Sequence, residues 1–176
     1  IHLNMRDYLT ESENIQQLIQ FIEEDLLDEL QQEFSDIRMP RRKKLVKVLE
    51  QAFIQYEVPF VFIIDEWDCI FRVHKSDVTS QTAYLDFLRN LLKDKSYVAL
   101  AYMTGILPIK KYGDSAINVF YEYSMTDASP IEEFTGFTEQ EVQQLCEQYK
   151  MPFSKTKNGM MDIVLMGFRF TIRNRL

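Results

Sequence analysis

The feature that most constrains this chain is Val58-Pro59-Phe60-Val61-Phe62-Ile63-Ile64, an unbroken apolar run that ends on Asp65-Glu66. Strands with one wet face alternate apolar and polar residues. A continuous run predicts burial on both faces, as in a central strand of a parallel sheet. A second run, Tyr97 to Met103, ends on Thr104-Gly105. Between the two, Tyr84, Phe87, Leu88, Leu91 and Leu92 recur at helical spacing and predict a helix near Ser80 to Lys93. Strand, helix and strand in this order imply an α/β domain with a mainly parallel sheet and right-handed crossovers. With 176 residues, of which 46% are hydrophobic, the chain suits one domain with a sizeable core.

The flanking segments fit that frame. Ile1 to Asn4 reads as a short strand. Thr10 and Glu13 form a Thr-x-x-Glu capping box, which predicts that a helix starts there. Ile15, Leu18, Ile19, Ile22, Leu26, Leu30 and Phe34 make its buried stripe, and Glu23, Glu24, Asp25, Asp28, Glu29 and Glu33 its solvated face. The charge then reverses through Arg38, Arg41, Arg42, Lys43, Lys44 and Lys47, read as a surface patch balancing the acidic helix. Pro40 suits the first turn of the next helix, which continues through Leu45, Leu49, Ala52, Phe53 and Tyr56. Further on, 117–123 is ambiguous between helix and strand, and 131–134 is a possible short strand. Thr138 and Glu141 open a helix with Val142, Leu145, Cys146 and Tyr149 on its apolar side. Residues 151–159 read as a loop.

Several function classes are excluded early. No segment approaches the about 20 apolar residues of a membrane-spanning helix. A net charge of -7 argues against a broad electrostatic grip on nucleic acid, although the 38–47 patch allows a local one. Two cysteines, Cys69 and Cys146, make neither a disulfide framework nor a zinc cluster, and the expected location is cytoplasmic.

In a parallel sheet, ligands sit beyond the carboxyl ends of the strands, so the polar residues there carry the chemistry. An apolar strand followed by Asp65-Glu66 has the form of a Walker B element. A buried strand aims Asp65 at a hydrated Mg²⁺, and Glu66 can polarise an attacking water as general base. Thr104, at the tip of the next strand, has the type and order of sensor 1 in P-loop ATPases, which bonds the water or the γ-phosphate.

Asp65-Glu66-Trp67-Asp68 is followed by Thr104-Gly105-Ile106-Leu107-Pro108-Ile109, then Ser115-Ala116-Ile117-Asn118, then Gly136-Phe137-Thr138-Glu139-Gln140-Glu141. This series resembles the AAA-ATPase-like family of bacterial proteins, a divergent AAA+/STAND-type P-loop group, over nearly the whole chain. Trp67 stands where the family has Tyr. The resemblance implies a three-layer P-loop NTPase-like domain that binds and hydrolyses ATP with Mg²⁺, often followed by a PD-(D/E)XK nuclease-like domain. Residues 1–150 would form that domain, and 151–176 a loop and the start of a following segment.

None of the five glycines builds a Gly-x-x-x-x-Gly-Lys-Ser/Thr loop. In the family that loop precedes the strand matching Ile1 to Asn4. The chain is therefore expected to be a piece of a longer ATPase, carrying the Walker B and sensor 1 part and inactive by itself. Its sheet should show an unfilled slot beside the Thr104 strand, or a pairing there with 131–134. The alternative is a degenerate, non-enzymatic ATPase-like module for protein or nucleic-acid contacts through 38–47. His2, His74, Lys110, Lys111 and Arg89 carry no further pattern.

Overall fold

A computed structural model describes residues 1–41, 43–108, 120–124 and 138–154, together with the course of the backbone over 169–174. The element order is β1 (His2–Asn4), α1 (Met5–Glu11), α2 (Ile15–Glu33), α3 (Leu45–Tyr56), β2 (Phe60–Asp65), α4 (Cys69–Val73), α5 (Val78–Leu92), β3 (Val98–Gly105), β4 (Tyr121–Ser124), α6 (Glu139–Gln148) and β5 (Arg169–Asn174). They build one five-stranded sheet in the order β1-β2-β3-β5-β4. β1, β2 and β3 are mutually parallel. β5 runs antiparallel to both β3 and β4, so β4 points the same way as β3. The expected α/β class forms, with β1, β2 and β3 as its parallel part and β5 making the rest of the sheet mixed.

The local determinants differ in places from the sequence reading. Thr10 lies inside α1, where its hydroxyl donates to the Arg6 carbonyl. The cap of α2 is Asn14, whose Oδ1 accepts the Gln17 N–H at 2.9 Å. Both residues can cap, but the chain needs a full turn of α1 before it reverses. α3 begins at Leu45 rather than near Pro40, and its cap residue, Lys44, has no side chain able to accept. By contrast, the second capping box is present at α6, with Thr138 and Glu141 bonded reciprocally. There Val142 and Cys146 are buried, whereas Leu145 and Tyr149 are exposed.

The apolar stripe of α2 is buried at Ile15, Leu18, Ile22, Leu26 and Leu30. It joins Leu45, Val48 and Leu49 of α3 and Tyr84, Leu88 and Leu91 of α5 in one core cluster under the sheet. From the strands, Leu3, Phe62, Ile64, Ala101 and Met103 face this cluster. Leu3 pairs with Ile64 and Ile64 with Met103 in register, so these side chains share one face.

The opposite face corrects the expectation of burial on both sides. Val61 is 44% and Ile63 43% exposed, alternating with fully buried Phe62 and Ile64. The cause is topological. β1, β2 and β3 step across the sheet in one direction, and right-handed crossovers repeated in one direction lay their helices on one face. Helices α1 to α5 thus form a single layer, and the expected three-layer arrangement is not built by them. The slot beside β3 is also neither open nor paired with 131–134. β5 fills it, from Leu100 opposite Asn174 to Gly105 opposite Arg169. The possible strand at 131–134 lies outside the described residues.

Candidate functional site

The carboxyl ends of β1, β2 and β3 come together at Asn4, Asp65 and Thr104. Asn4 stands opposite Asp65 in the ladder, and its side chain is spent on capping α1 through the Arg6 N–H at 3.0 Å. The Thr104 hydroxyl donates to Asp65 Oδ1, which also accepts the Glu66 N–H at 2.9 Å. The two residues at these neighbouring strand tips are therefore bonded directly. Asp65 Oδ2 has no hydrogen bond among the described residues, and the residue is exposed.

Beyond Asp65 the chain turns sharply into α4. Glu66 adopts a left-handed conformation, with φ 50°. That conformation costs a non-glycine residue on the order of 1 kcal/mol and persists only where neighbours enforce it. Here the Trp67 N–H donates to the Thr104 carbonyl at 3.1 Å. The buried Tyr84 hydroxyl of α5 donates to the Trp67 carbonyl at 2.8 Å. The Trp67 ring packs on Phe71, with centroids 5.5 Å apart.

The Glu66 carboxylate accepts from the Arg72 guanidinium, a partner supplied by α4. Burial works against the Arg72 charge. The bond to Glu66 and the fields of Asp68 and Glu66 outweigh it and raise its pKa further. This ion pair occupies Glu66 Oε2 and turns it toward α4.

Asp68 was visible in the sequence only as part of a motif, with no role attached. It is fully buried. Its Oδ2 accepts the Ile106 N–H at 3.2 Å and the Leu107 N–H at 2.9 Å and lies 3.2 Å from Arg72 Nε. Gly105 passes so close that a methyl group there would sit 2.6 Å from Trp67 Nε1 and 2.8 Å from Asp68 Oδ1. The spacing of Asp68 and Arg72, one helical turn, was the available signal for this pair.

No family model, curated protein or solved structure matches this chain. The chemistry rests on the geometry alone. The donors at the strand tips are hard oxygens, which suit Mg²⁺ rather than a softer metal. Among the described residues, no three His, Cys, Asp or Glu side chains converge to bind a metal directly, so a cation would be held at Asp65 through its waters. His2 lies exposed on β1 and His74 in the loop after α4. The Cys69 thiol is pushed up to about 12 by burial, although Arg72 pulls it down, so it is no nucleophile. The grooves described on the surface lie elsewhere. One, of about 280 Å³, is bounded by Ile19, Leu45, Ala83 and Phe87. No helix among the described residues is long and apolar enough to cross a membrane.

Proposed function

We propose that this chain carries the Walker B and sensor 1 part of an ATP-binding and ATP-hydrolysing AAA-ATPase-like domain. The observation that carries the reading is the hydrogen bond from Thr104 to Asp65 across adjacent parallel strand tips. The parallel trio β1, β2 and β3 is compatible with it, whereas β5, antiparallel to β3, is not the strand that leads to a phosphate loop.

ATP with Mg²⁺ would supply the phosphoryl bond and the charge that screens it. The residues of the chain do the rest. Asp65 would hold the hydrated cation. Glu66 takes a proton from water. The Thr104 hydroxyl, fixed on Asp65, is placed to sense the γ-phosphate. With no Gly-x-x-x-x-Gly-Lys-Ser/Thr loop, the 176 residues by themselves should bind ATP weakly and turn it over negligibly.

The test uses a longer parent polypeptide in which such a loop precedes β1. Glu66→Gln should lower its turnover by about 10²–10⁴-fold while ATP still binds. Unchanged turnover removes the base assignment. A parent with no phosphate loop removes the ATPase reading.

The second reading is a non-enzymatic module for protein or nucleic-acid contacts. It is favoured by the segment between Ile37 and Leu45. Both of these residues are buried, and Gln55 ties the start of the strap by accepting the Arg38 N–H at 3.1 Å. Arg38, Arg41, Lys43 and Lys44 are exposed along it. No ion pair joins them to the acidic face of α2 among the described residues. DNA binding that weakens with salt and is lost on reversing these charges would favour this reading.

A further inference from the structure

We infer that Asp68 is the positioning residue of this site, tying the turn that leaves β3 to the turn that leaves β2 so that Thr104 stays against Asp65. The inference rests on the strand tips being the working end of the protein, as proposed above, but its geometry is independent of which ligand they take.

A fully buried carboxylate is costly unless its oxygens are satisfied. Asp68 uses one oxygen to collect two consecutive backbone N–H groups, those of Ile106 and Leu107. These belong to the residues that immediately follow the Thr104-Gly105 end of β3. The preceding residue of the same turn, Trp67, donates its N–H to the Thr104 carbonyl. Thr104 is thus gripped on its carbonyl side by Trp67 and on its downstream side by Asp68, which holds its hydroxyl against Asp65. Gly105 is what permits the approach, since any larger residue would meet Trp67 and Asp68.

The tie is also incomplete. Asp68 Oδ1 and Arg72 Nε are both buried, and neither has an aligned hydrogen bond, although Arg72 Nε is 3.2 Å from the other Asp68 oxygen. Meanwhile the far end of the same guanidinium holds Glu66. Arg72 therefore has two claimants. When Glu66 lets go, Arg72 is free to turn its Nε–H fully onto Asp68 Oδ2, 3.2 Å away, and so satisfy its own orphan atom. Asp68 is in this way sensitive to what Glu66 does, without touching anything that Glu66 acts on.

The experiment takes the full chain and reads amide hydrogen exchange at Ile106 and Leu107 in three forms: unaltered, Asp68→Asn and Arg72→Lys. Asp68→Asn should speed exchange at both amides by about tenfold, with Leu18 and Ile22 in α2 unchanged. Arg72→Lys keeps the charge but loses the two-ended fork, and should speed the same amides by a smaller factor. If Asp68→Asn does not fold, the Arg72→Lys result decides. Exchange at Ile106 and Leu107 that matches the unaltered chain in the folded variant overturns the proposal.

A second readout separates positioning from mere support. Mn²⁺, a probe for Mg²⁺, should broaden the Asp65 and Thr104 amide resonances, and Asp68→Asn should raise the Mn²⁺ concentration needed several-fold. Equal Mn²⁺ response in a variant with faster exchange would reduce Asp68 to a structural tie and overturn its positioning role. No broadening in the unaltered chain counts against the cation reading instead, and the exchange data then decide on Asp68.

Discussion

At Gly105 the two strand tips approach so closely that there is no space for a methyl group. Gly105→Ala should destabilise the protein by about 1–3 kcal/mol through overpacking against Trp67 and Asp68. Chemical denaturation would measure it, with Trp67 fluorescence as a local reporter because the chain has one tryptophan. A loss below a few tenths would mean that the junction yields. Thr104→Val, in contrast, removes a bond to an exposed carboxylate and should cost less than about 1 kcal/mol, so lost function there would be chemical rather than structural. Asp65, Glu66 and Thr104 were legible in the sequence because an apolar strand has to end somewhere, and the first polar residues mark its tip. Asp68 and Arg72 were not. A carboxylate three residues past a strand reads as solvated, and the path of the turn shows that it is driven inward.

Among the elements, helices and strands were readable from periodicity, but their caps and faces were less so. Thr10 and Asn14 compete for the cap of α2 on sequence grounds, and the structure gives the role to Asn14. Asn14→Ala should therefore cost about 1 kcal/mol. Thr10→Ala, inside a helix, should cost little or nothing, and paired thermal melts would show the difference. In β2 the unbroken apolar run hid an alternation. Phe62→Ala should cost about 3–5 kcal/mol, whereas Val61→Thr on the uncovered face should stay within about 0.5 kcal/mol. Equal losses would mean that both faces are packed. A run of apolar residues tells that a strand is at home in a sheet, but whether a second layer covers it depends on chain direction across the sheet, which no short window encodes.

For the whole molecule, several acidic protons are held by burial. Burial first, then a hydrogen bond with Asp25, lifts Tyr8 to about 12 from 10.0. Cys69 rises to about 12 from 9.0, and burial also raises Tyr84 and Tyr97. Each raised value means that the folded chain keeps protons the unfolded chain would release. Stability should hold below about pH 9 and fall progressively as pH rises toward 12, followed by circular dichroism. A flat profile across that window would show these groups to be accessible. For the same reason the Cys69 thiol should resist alkylation at neutral pH until the protein unfolds. The strand order β1-β2-β3-β5-β4 was only partly readable, because β5 comes from far along the chain and its pairing with β3 is non-local.

The outermost members of the sheet, β1 and β4, have three and four residues. Such brief borders offer an incoming chain few free backbone groups to add onto. Sideways growth into fibrils should find little purchase here, even though the apolar ribbon at the centre would be hazardous if it lay on the rim.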